Sequence, residues 1–540
     1  MSELENKYVE KAIPPTREER LEATDTYHGC SCDLLECSRN CCLKGRDRDF
    51  WQGSSACQMF LSVMMSAPIE NTVLIMHGPI GCGHQIHMVT NSTNAGKTAR
   101  GLVPKPVNWI STNLSTTEIV NGGEKKLREA IEYADKTFRP EFIFVLSTCA
   151  PNIIGDDVEK IVSDESKVVS AQVTAIHCPG FRSKYVSSAY DAFYHSLIRH
   201  IKLEPIAYKD YVPLNPADPN SGFLAAGYEY KKKYTVNVMT LESMGPQDEN
   251  ELTRILNGLN LNVNVLPEYS NADKIRFVSE AALNVSLCWM HDDYFVKYLK
   301  DKYDVPYYMG MPLGLKATRK WLVDIGEHFG LKAEAERLAD YEEKLVLEAI
   351  APFKEKLKGK RVMISGGAVR SAVEASLIHD DLGMEIVSVI GLLYDSNAEP
   401  SFEELTKDHP DVPVVISDQP YEFVNQVKTY KPDIVLCHAN GLSEPAKLGA
   451  VTVPEFDVGG AYFGYNGVFQ VARQLAFALE NDSYVKEVSK HVKFPYKKSW
   501  YEKDPFAYVK DLKKEEKENE KSICKTNGII LCGGITSHGL

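Results

Sequence analysis

The stretch TVLIMHGPIGCGH (residues 72–84) begins with a run of apolar residues and ends in a glycine-rich turn that carries Cys82. This pattern predicts a buried strand over 72–76 followed by a sharp loop. A second stretch, FIFVLSTCAPNIIGDD (residues 142–157), repeats it, because a strand over 142–146 precedes Cys149 and Pro151 suits the first turn of the next helix. Buried strands that alternate with helices predict an α/β fold built on parallel sheets.

Three cysteines of this region stand where a ligand could bind. Cys82 and Cys149 follow predicted strands, and open α/β sheets bind ligands outside the carboxyl ends of their strands. Cys57 lies upstream in SSACQMF (residues 54–60). A lone cysteine is most often an ordinary buried thiol. Three of them, two in loops of glycine and proline, favour thiolate ligation of a soft metal or an iron–sulfur cluster.

Composition narrows the classes of function. The 540 residues are too many for one core, and 44% hydrophobic with 25% charged residues is typical of a globular protein. A net charge of −13 argues against a nucleic-acid partner. The absence of a long apolar run or a signal peptide predicts a cytoplasmic protein with no membrane partner. In that compartment the 13 cysteines are expected to be thiols or metal ligands, not disulfides.

The alternation of predicted elements divides the chain into five segments. We expect a Cys-rich N-terminal extension (1–50), three α/β domains (51–230, 231–345 and 346–500) and a charged C-terminal tail (501–540). The elements that set these limits include helices over 121–136, 250–256 and 332–357, and strands over 168–176, 235–239, 261–266, 281–288, 385–390, 412–416 and 433–437.

The extension holds five cysteines whose spacing matches no zinc or ferredoxin pattern: Cys30, Cys32, Cys37, Cys41 and Cys42. Two interpretations stay open: these cysteines bind an added cluster, or they are thiols that pack on a partner.

Elsewhere the chain lacks a full G-x-G-x-x-G, a Walker A sequence, G-x-S-x-G and H-E-x-x-H. We therefore expect no nucleotide binding by this chain. His438 follows a predicted strand end, where a lone histidine is more often hydrogen-bonded structure than a ligand.

Several stretches resemble nitrogenase component 1, in unbroken order over residues 51–485. The resemblance is carried by GPIGCG (78–83), TNLSTTEIVNGGEKKL (112–127), TCAPNIIGDD (148–157), CPGF (178–181), Cys288 with YDVP (303–306), Gly366-Gly367, DLGME (381–385) and GYNG (464–467). It implies three Rossmann-like parallel-sheet domains of the nitrogenase component 1 type around a cofactor. It also implies a homologous β-type subunit in an α2β2 assembly and a separate ATP-dependent [4Fe-4S] reductase protein.

The resemblance assigns roles to the cysteines. Cys57, Cys82 and Cys149 match the α-side ligands of the cluster at the subunit interface, of the [8Fe-7S] type or a [4Fe-4S] cluster. Cys288 falls where the α-type subunit binds its large Fe–S active-site cofactor, so the α type fits better than the β type. Gly366, Gly367 and Glu444 correspond to segments that surround this cofactor.

The chain departs from nitrogenases around the cofactor. Pro454 stands where a histidine coordinates molybdenum, and Thr90 replaces an arginine. Ser443 replaces the lysine of the homocitrate segment, although Glu444 persists. We therefore expect a cofactor without molybdenum.

The pocket itself is also changed. Val186 and Tyr190 replace a glutamine and a histidine, and they predict an apolar lining for a small-molecule substrate. His438 is a candidate for the end of the cofactor opposite Cys288. These residues favour the α subunit of a reductase similar to the methylthio-alkane reductases, which cleave C–S bonds. The alternatives are the α subunit of a nitrogenase cofactor-assembly scaffold and a nitrogenase with altered ligation. An enclosed pocket at Cys288 favours the reductase, whereas an exit route favours the scaffold.

Overall fold

The computed structural model describes residues 8–43, 46–48, 57–203, 229–230, 232–239, 245–437, 443–456, 460–493, 497–499, 503–504 and 506–511. His438 and the cysteines of the C-terminal tail lie outside this set. Among the described residues, no helix is long and apolar enough to cross a membrane.

The first sheet carries the stretch that predicts the fold. Its four strands are all parallel, in the order Asn108–Ser111, Thr72–His77, Phe142–Ser147 and Gln172–His177. Every residue of the two central strands is buried, as expected for a parallel sheet with helices on both faces. Helices Glu124–Phe138 and Val158–Glu165 cover one face, and Gln58–Ser66 and Ser188–His200 cover the other. His84–Ala99, Thr116–Asn121 and Cys149–Ile154 complete this unit.

The second sheet is also four-stranded and parallel. Its order is Tyr307–Met309, Leu283–Ser286, Thr235–Met239 and Asn262–Leu266. The helices of this part of the chain are Pro246–Asn257, Ala272–Arg276, Trp289–Tyr303, Leu315–His328 and Lys332–Leu357. The last of these leads directly into the third sheet, because strand Arg361–Gly366 begins four residues after it ends.

The third sheet has six strands, five of them parallel. Its order is Val451–Pro454, Ile434–Cys437, Arg361–Gly366, Glu385–Gly391, Pro413–Ile416 and Tyr27–Cys30, and the last strand is antiparallel to its neighbour. Its helices are Ala368–Ser376, Glu399–Asp408, Pro420–Tyr430, Ser443–Lys447, Gly464–Glu480 and Ser483–Ser489. An N-terminal strand therefore closes one edge of the third sheet, which leaves fewer unpaired backbone groups there.

The predicted α/β class with parallel sheets is confirmed. The helix predicted over 332–357 and the strand over 235–239 are found with those bounds. The long strand predicted over 168–176 is shorter, Gln172–His177, because residues 167–170 form a turn and bend after helix Val158–Glu165. The helix predicted over 121–136 begins later, at Glu124, and runs to Phe138, because a separate helix, Thr116–Asn121, ends at Gly122 with a φ of 92°.

The N-terminal segment contains two features that the sequence did not predict. Helix Arg17–Arg20 packs against the rest of the chain, and helix Ser31–Arg39 follows the edge strand. The expectation that the cysteines form no disulfide is wrong for one pair, since Cys30 and Cys32 are bonded. Their Cα atoms lie 5.5 Å apart where the strand turns into the helix, and this spacing suits a disulfide.

Candidate functional site

The first thiol group consists of Cys57, Cys82 and Cys149. Cys82 lies in the short 3₁₀ turn Ile80–Gly83 after one central strand of the first sheet. Cys149 is the first residue of the helix that follows the neighbouring strand. Cys57 caps helix Gln58–Ser66. Because the two strands are parallel and adjacent, their carboxyl ends bring Cys82 and Cys149 to the same edge of the sheet.

Gly180 holds the thiol group together from the backbone side. Its N–H donates a hydrogen bond to the Cys149 Sγ atom at 3.2 Å. A Cβ atom placed on Gly180 would lie 2.8 Å from the Cβ of Cys57 and 3.8 Å from the Sγ of Cys149. Only glycine therefore fits here without a shift, and its backbone reaches both cysteines.

Three thiols that converge at one edge of the sheet suit a cluster of several irons, which takes thiolate ligands. Burial raises the pKa of the Cys82 thiol, and the neighbouring Cys149 and Cys57 raise it further. Iron binding must therefore displace protons, which is usual for thiolate sites. The residues fit an iron–sulfur cluster.

The thiol group lies on an exposed apolar surface. Cys57 is exposed, and Cys82 and Cys149 are half-buried. Three large apolar side chains close in sequence to Cys82, Cys149 and Gly180 are also exposed in this chain: Ile80 (55%), Ile153 (71%) and Phe181 (59%). Exposed large apolar side chains, where they form a patch, are typical of protein–protein contacts. This surface is therefore suited to another subunit.

Cys178 lies behind the thiol group. Its side chain is buried, and its Sγ donates to the Ser147 carbonyl at 3.7 Å. Burial raises the pKa of the Cys178 thiol well above its usual value, and Cys57 raises it further. Cys178 is thus a packed neighbour of the group.

Cys288 has the opposite environment. It lies between strand Leu283–Ser286 and helix Trp289–Tyr303, and it is only 5% exposed. Burial raises the pKa of its thiol, although the Met290 amide acts in the opposite direction. Nearby Arg17 also favours the thiolate, whereas Asp292 and Asp395 oppose it.

His291 is the polar residue beside Cys288 that the sequence analysis missed. The backbone N–H of His291 donates a hydrogen bond to the Cys288 carbonyl at 2.8 Å, within the first turn of the helix. Its ring stacks on that of Tyr190, with centroids 3.8 Å apart. The buried Nδ1 atom has no hydrogen-bond partner among the described residues. Burial, assisted by Arg17, lowers the pKa of His291 to about 3, so the ring is neutral and keeps a free lone pair.

This orphaned nitrogen makes His291 a candidate to hold a cofactor together with Cys288. Buried polar groups in folded proteins are almost always bonded, so an unpaired one indicates a missing partner. The only sequence signal was the Cys-x-x-His spacing, which places two side chains on neighbouring positions of one turn. The residues fit an iron–sulfur cofactor bound by a thiolate and an imidazole.

The N-terminal helix closes this region. Arg17 is fully buried, and its guanidinium lies 2.8 Å from Asp191, 3.1 Å from Asp293 and 3.5 Å from Asp395. Arg20 adds contacts to Asp191 and Asp293. The two guanidinium groups hold the pKa of Asp293 well below its usual value, although burial opposes them. The three acids belong to widely separated parts of the chain, so Arg17 joins those parts together.

The other predicted pocket residues are placed as follows. Tyr190 is buried on helix Ser188–His200 and meets His291, while Val186 is half-buried in the turn before that helix. Gly366 ends its strand and Gly367 precedes helix Ala368–Ser376. Glu444 lies on a different short helix and pairs with Lys447 at 3.5 Å. No described contact joins Glu444 to Cys288.

A buried acid that the sequence analysis did not select lies over Gly366. Glu455 follows Pro454, and a Cβ on Gly366 would overlap its carboxylate. Arg370 donates to the Glu455 carbonyl at 2.6 Å, and its Nε lies 3.9 Å from the carboxylate. Burial raises the pKa of Glu455 to about 8 and that of Glu374 to about 7. Because the glycine leaves room for this carboxylate, the Gly366 turn serves packing in this structure.

Comparisons with known proteins agree on one family. The description "Nitrogenase component 1 type Oxidoreductase" matches residues 57–480. The nitrogenase molybdenum-iron protein alpha chain of Methanothermobacter marburgensis is 27% identical over 77% of this chain and 86% of its own length. The nitrogenase iron-molybdenum cofactor biosynthesis protein NifE of Methanococcus maripaludis is 28% identical over 76% of this chain and 80% of its own length.

A solved structure, "Nitrogenase Cp1 at pH 5", has the same fold. It superposes with a TM-score of 0.64 at 21% identity, over 87% of this chain and all of that chain. The two sequence relatives are equally distant, so identity alone does not separate a catalytic subunit from an assembly protein.

Proposed function

The chain belongs to the nitrogenase component 1 type oxidoreductase family, and we propose that it is the α-type subunit of a nitrogenase-like reductase that cleaves C–S bonds. The family implies iron–sulfur clusters and a large cofactor, and its α subunits work with β subunits and a reductase partner. In our proposal these partners are a homologous β-type subunit in an α2β2 assembly and an ATP-dependent [4Fe-4S] reductase protein.

Cys57, Cys82 and Cys149 provide this chain's share of an electron-relay cluster. Support comes from the Gly180 amide at the Cys149 sulfur and from the exposed apolar side chains around the group. Soft thiolates bind iron tightly, and sharing the cluster between subunits explains why this site is open on one side.

Cys288 and His291 hold the active-site cofactor, which supplies electrons to the substrate when bound. Cys288 offers a thiolate, and His291 offers the neutral Nδ1 atom that has no partner among the described residues. With His291 as a second ligand, the cofactor needs no ligand at position 454, where the Pro454 side chain has no donor atom. It leaves His438, which lies outside the described residues, as an open candidate.

The proposed reaction reduces a small methylthio compound to a thiol and a hydrocarbon, with two electrons and two protons consumed. Tyr190 stacks on the His291 ring, and Val186 lies half-buried in the turn before the helix that carries Tyr190. In our proposal these two side chains give the substrate an apolar lining, which suits a thioether. The observation that carries the proposal is the burial of Cys288, at 5% exposure, beside an unpaired imidazole. Such an enclosed site suits retained chemistry better than transfer of a cofactor to another protein.

The scaffold is the second candidate, because the Methanococcus maripaludis biosynthesis protein (28% identical) is as similar to this chain as the molybdenum-iron protein alpha chain (27%). A cofactor-assembly subunit would also need Cys288. It would have to release its cluster, and helix Arg17–Arg20 would then have to leave its buried position.

The test is a reconstituted complex of this chain, its sister subunit and the reductase protein, supplied with ATP and either dimethyl sulfide or dinitrogen. We expect methane and methanethiol from dimethyl sulfide and little ammonia. Ammonia without methane would show a nitrogenase with altered ligation. No product from either, with cluster transferred to an acceptor protein, would show the scaffold. The matched variants are Cys288→Ser, expected to be inactive, and Cys437→Ser, which removes another buried strand-end thiol and is expected to keep activity.

A further inference from the structure

We propose that His379, Asp380 and His409 form a binding site for one divalent first-row transition metal ion, separate from the cysteine sites. One candidate ligand atom from each side chain lies within 4.8 Å of the other two. The rings of His379 and His409 meet edge to face, with centroids 4.4 Å apart. Two imidazoles and one carboxylate are a ligand set that binds ions such as Zn²⁺ and Fe²⁺ and leaves coordination positions open.

The three side chains are held by rigid elements. His379 and Asp380 lie in a π-helical turn, Leu377–Asp381, that continues helix Ala368–Ser376. Such turns occur frequently at functional sites. The next residue, Asp381, accepts the Leu315 N–H at 2.9 Å and fixes the end of this turn. The two histidines, which are 30 positions apart in the sequence, are thus brought together by tertiary packing.

Hydrogen bonds also orient the carboxylate. Asp380 Oδ1 lies 2.9 Å from His379 Nδ1, and its Oδ2 accepts the Ser376 hydroxyl at 2.7 Å. Metal-binding side chains are commonly oriented in this way by neighbouring groups. His409 follows helix Glu399–Asp408, and its N–H bonds the Leu405 carbonyl at 2.8 Å. The ligands need little rearrangement to close on an ion.

A cavity of about 320 Å³ adjoins the triad, and Asp380 and His409 both line it. Its wall includes Trp321, which is 1% exposed and whose indole N–H has no partner among the described residues. Ser401 lines the same cavity with a buried hydroxyl that also lacks one. Buried donors without partners indicate a polar occupant.

The carboxylate of the triad itself supplies the charge that favours a cation. The other acids of the lining are paired: Lys316 lies 3.5 Å from both Glu404 and Asp408, Lys407 also contacts Glu404, and Arg39 contacts Glu403. Lys320 lines the cavity as well, so the attraction for a cation comes from Asp380. A metal ion with open positions, facing a cavity that holds donor groups, could bind water or a small oxyanion there.

Equilibrium dialysis of the full-length chain in its purified complex, against Zn²⁺ alone, tests the site. We expect the wild type to bind one zinc more than a His379→Asn/His409→Asn double variant, with unchanged iron. The control His491→Asn removes an exposed histidine elsewhere and should bind zinc like the wild type. Since His379 is 48% exposed, the double variant is expected to fold, and its iron content and unfolding temperature check this.

Asp380→Asn separates a three-ligand site from a chance pair of exposed histidines. We expect it to weaken zinc binding at least about tenfold, in line with losses seen when metal-site groups are removed. Equal zinc stoichiometry in the wild type and the double variant would overturn the proposal. So would saturation only near about 1 mM zinc, or wild-type affinity in Asp380→Asn.

Discussion

The cysteines of the first sheet and Cys288 of the second sheet are both placed by strand ends, but their surroundings are opposite. Cys57, Cys82 and Cys149 lie on an exposed apolar surface, with a glycine backbone behind them. Cys288 is buried beside a neutral histidine and a network of arginines and acids. The first site is open, and in our proposal another subunit completes it. The second is closed by this chain's own N-terminal helix.

This difference indicates a division of labour. An electron relay must lie near a subunit surface, because electrons arrive from another protein. A reducing site gains from the exclusion of water, which protects reactive species and strengthens local electrostatic interactions. In our proposal the same local pattern, a cysteine after a buried strand, serves two functions, and tertiary burial decides which one.

The largest expected effect comes from removing one thiol from each site. Cys288→Ala should abolish product formation and leave the relay iron in place, because the two sites share no ligand. Cys82→Ala should lower the relay iron and weaken pairing with the sister subunit. Iron analysis and size-exclusion chromatography of the purified complex measure both. If Cys82→Ala keeps all its iron and its partner, the relay assignment is wrong.

Arg17→Ala should have the next largest effect, a loss of stability that is confined to the buried region around Cys288. It leaves Asp191, Asp293 and Asp395 without their shared partner in the interior. Removing one partner of a buried ion pair costs about 3–5 kcal/mol. Arg39→Ala is the control, since it removes a half-exposed ion pair worth about 0–1 kcal/mol. Denaturant unfolding of both variants measures the difference. Similar losses would mean that Arg17 does not hold the region closed.

The sequence predicted what depends on local pattern. Parallel buried strands, their cysteine-bearing ends and the helix Lys332–Leu357 follow from periodicity and turn residues, which act over a few positions. The proximity of Cys82 and Cys149 followed from one general rule about parallel sheets. The limits of the predicted domains and the roles of the site residues stay predictions.

What the sequence did not predict depends on contacts between distant segments. Arg17 bonds residues more than 170 positions away, and nothing local distinguishes it from a surface arginine. His291 became a candidate only when its ring was found buried against Tyr190. His379 and His409 likewise meet only through packing of two helices. The burial of a polar group is a tertiary property, so the sequence gives little sign of it.

A smaller effect is expected at the open site from Gly180→Ala. The added methyl group would lie 2.8 Å from the Cys57 Cβ, and such crowding costs about 1–3 kcal/mol. We expect partial loss of relay iron with no change in iron at Cys288. Gly81→Ala is the matched control, because it adds a methyl group next to Cys82 where no described residue other than its two chain neighbours lies within 4 Å. Equal iron content in the two variants would show that Gly180 does not position the thiols.

The smallest expected effect is a pH dependence of the folded state's stability, which comes from two buried acids. Burial raises the pKa of Glu455 to about 8 and of Glu374 to about 7, above the ordinary value of 4.5. Between the ordinary pKa of 4.5 and these raised values, the folded state therefore binds more protons than the unfolded state. Stability from these groups is fully present below about pH 4.5 and is lost as the pH rises through 7 to 8.

Glu455→Gln should flatten this part of the profile, because a neutral amide has no proton to lose. Thermal unfolding between about pH 5 and pH 9 measures it. We expect the unfolding temperature of the wild type to fall more steeply between about pH 5 and pH 8 than that of the variant, and the two profiles to run parallel at higher pH. Glu355→Gln, on the exposed side of helix Lys332–Leu357, should leave the profile unchanged. If Glu455→Gln and the wild type follow the same profile, burial does not raise the pKa of Glu455 in the folded state.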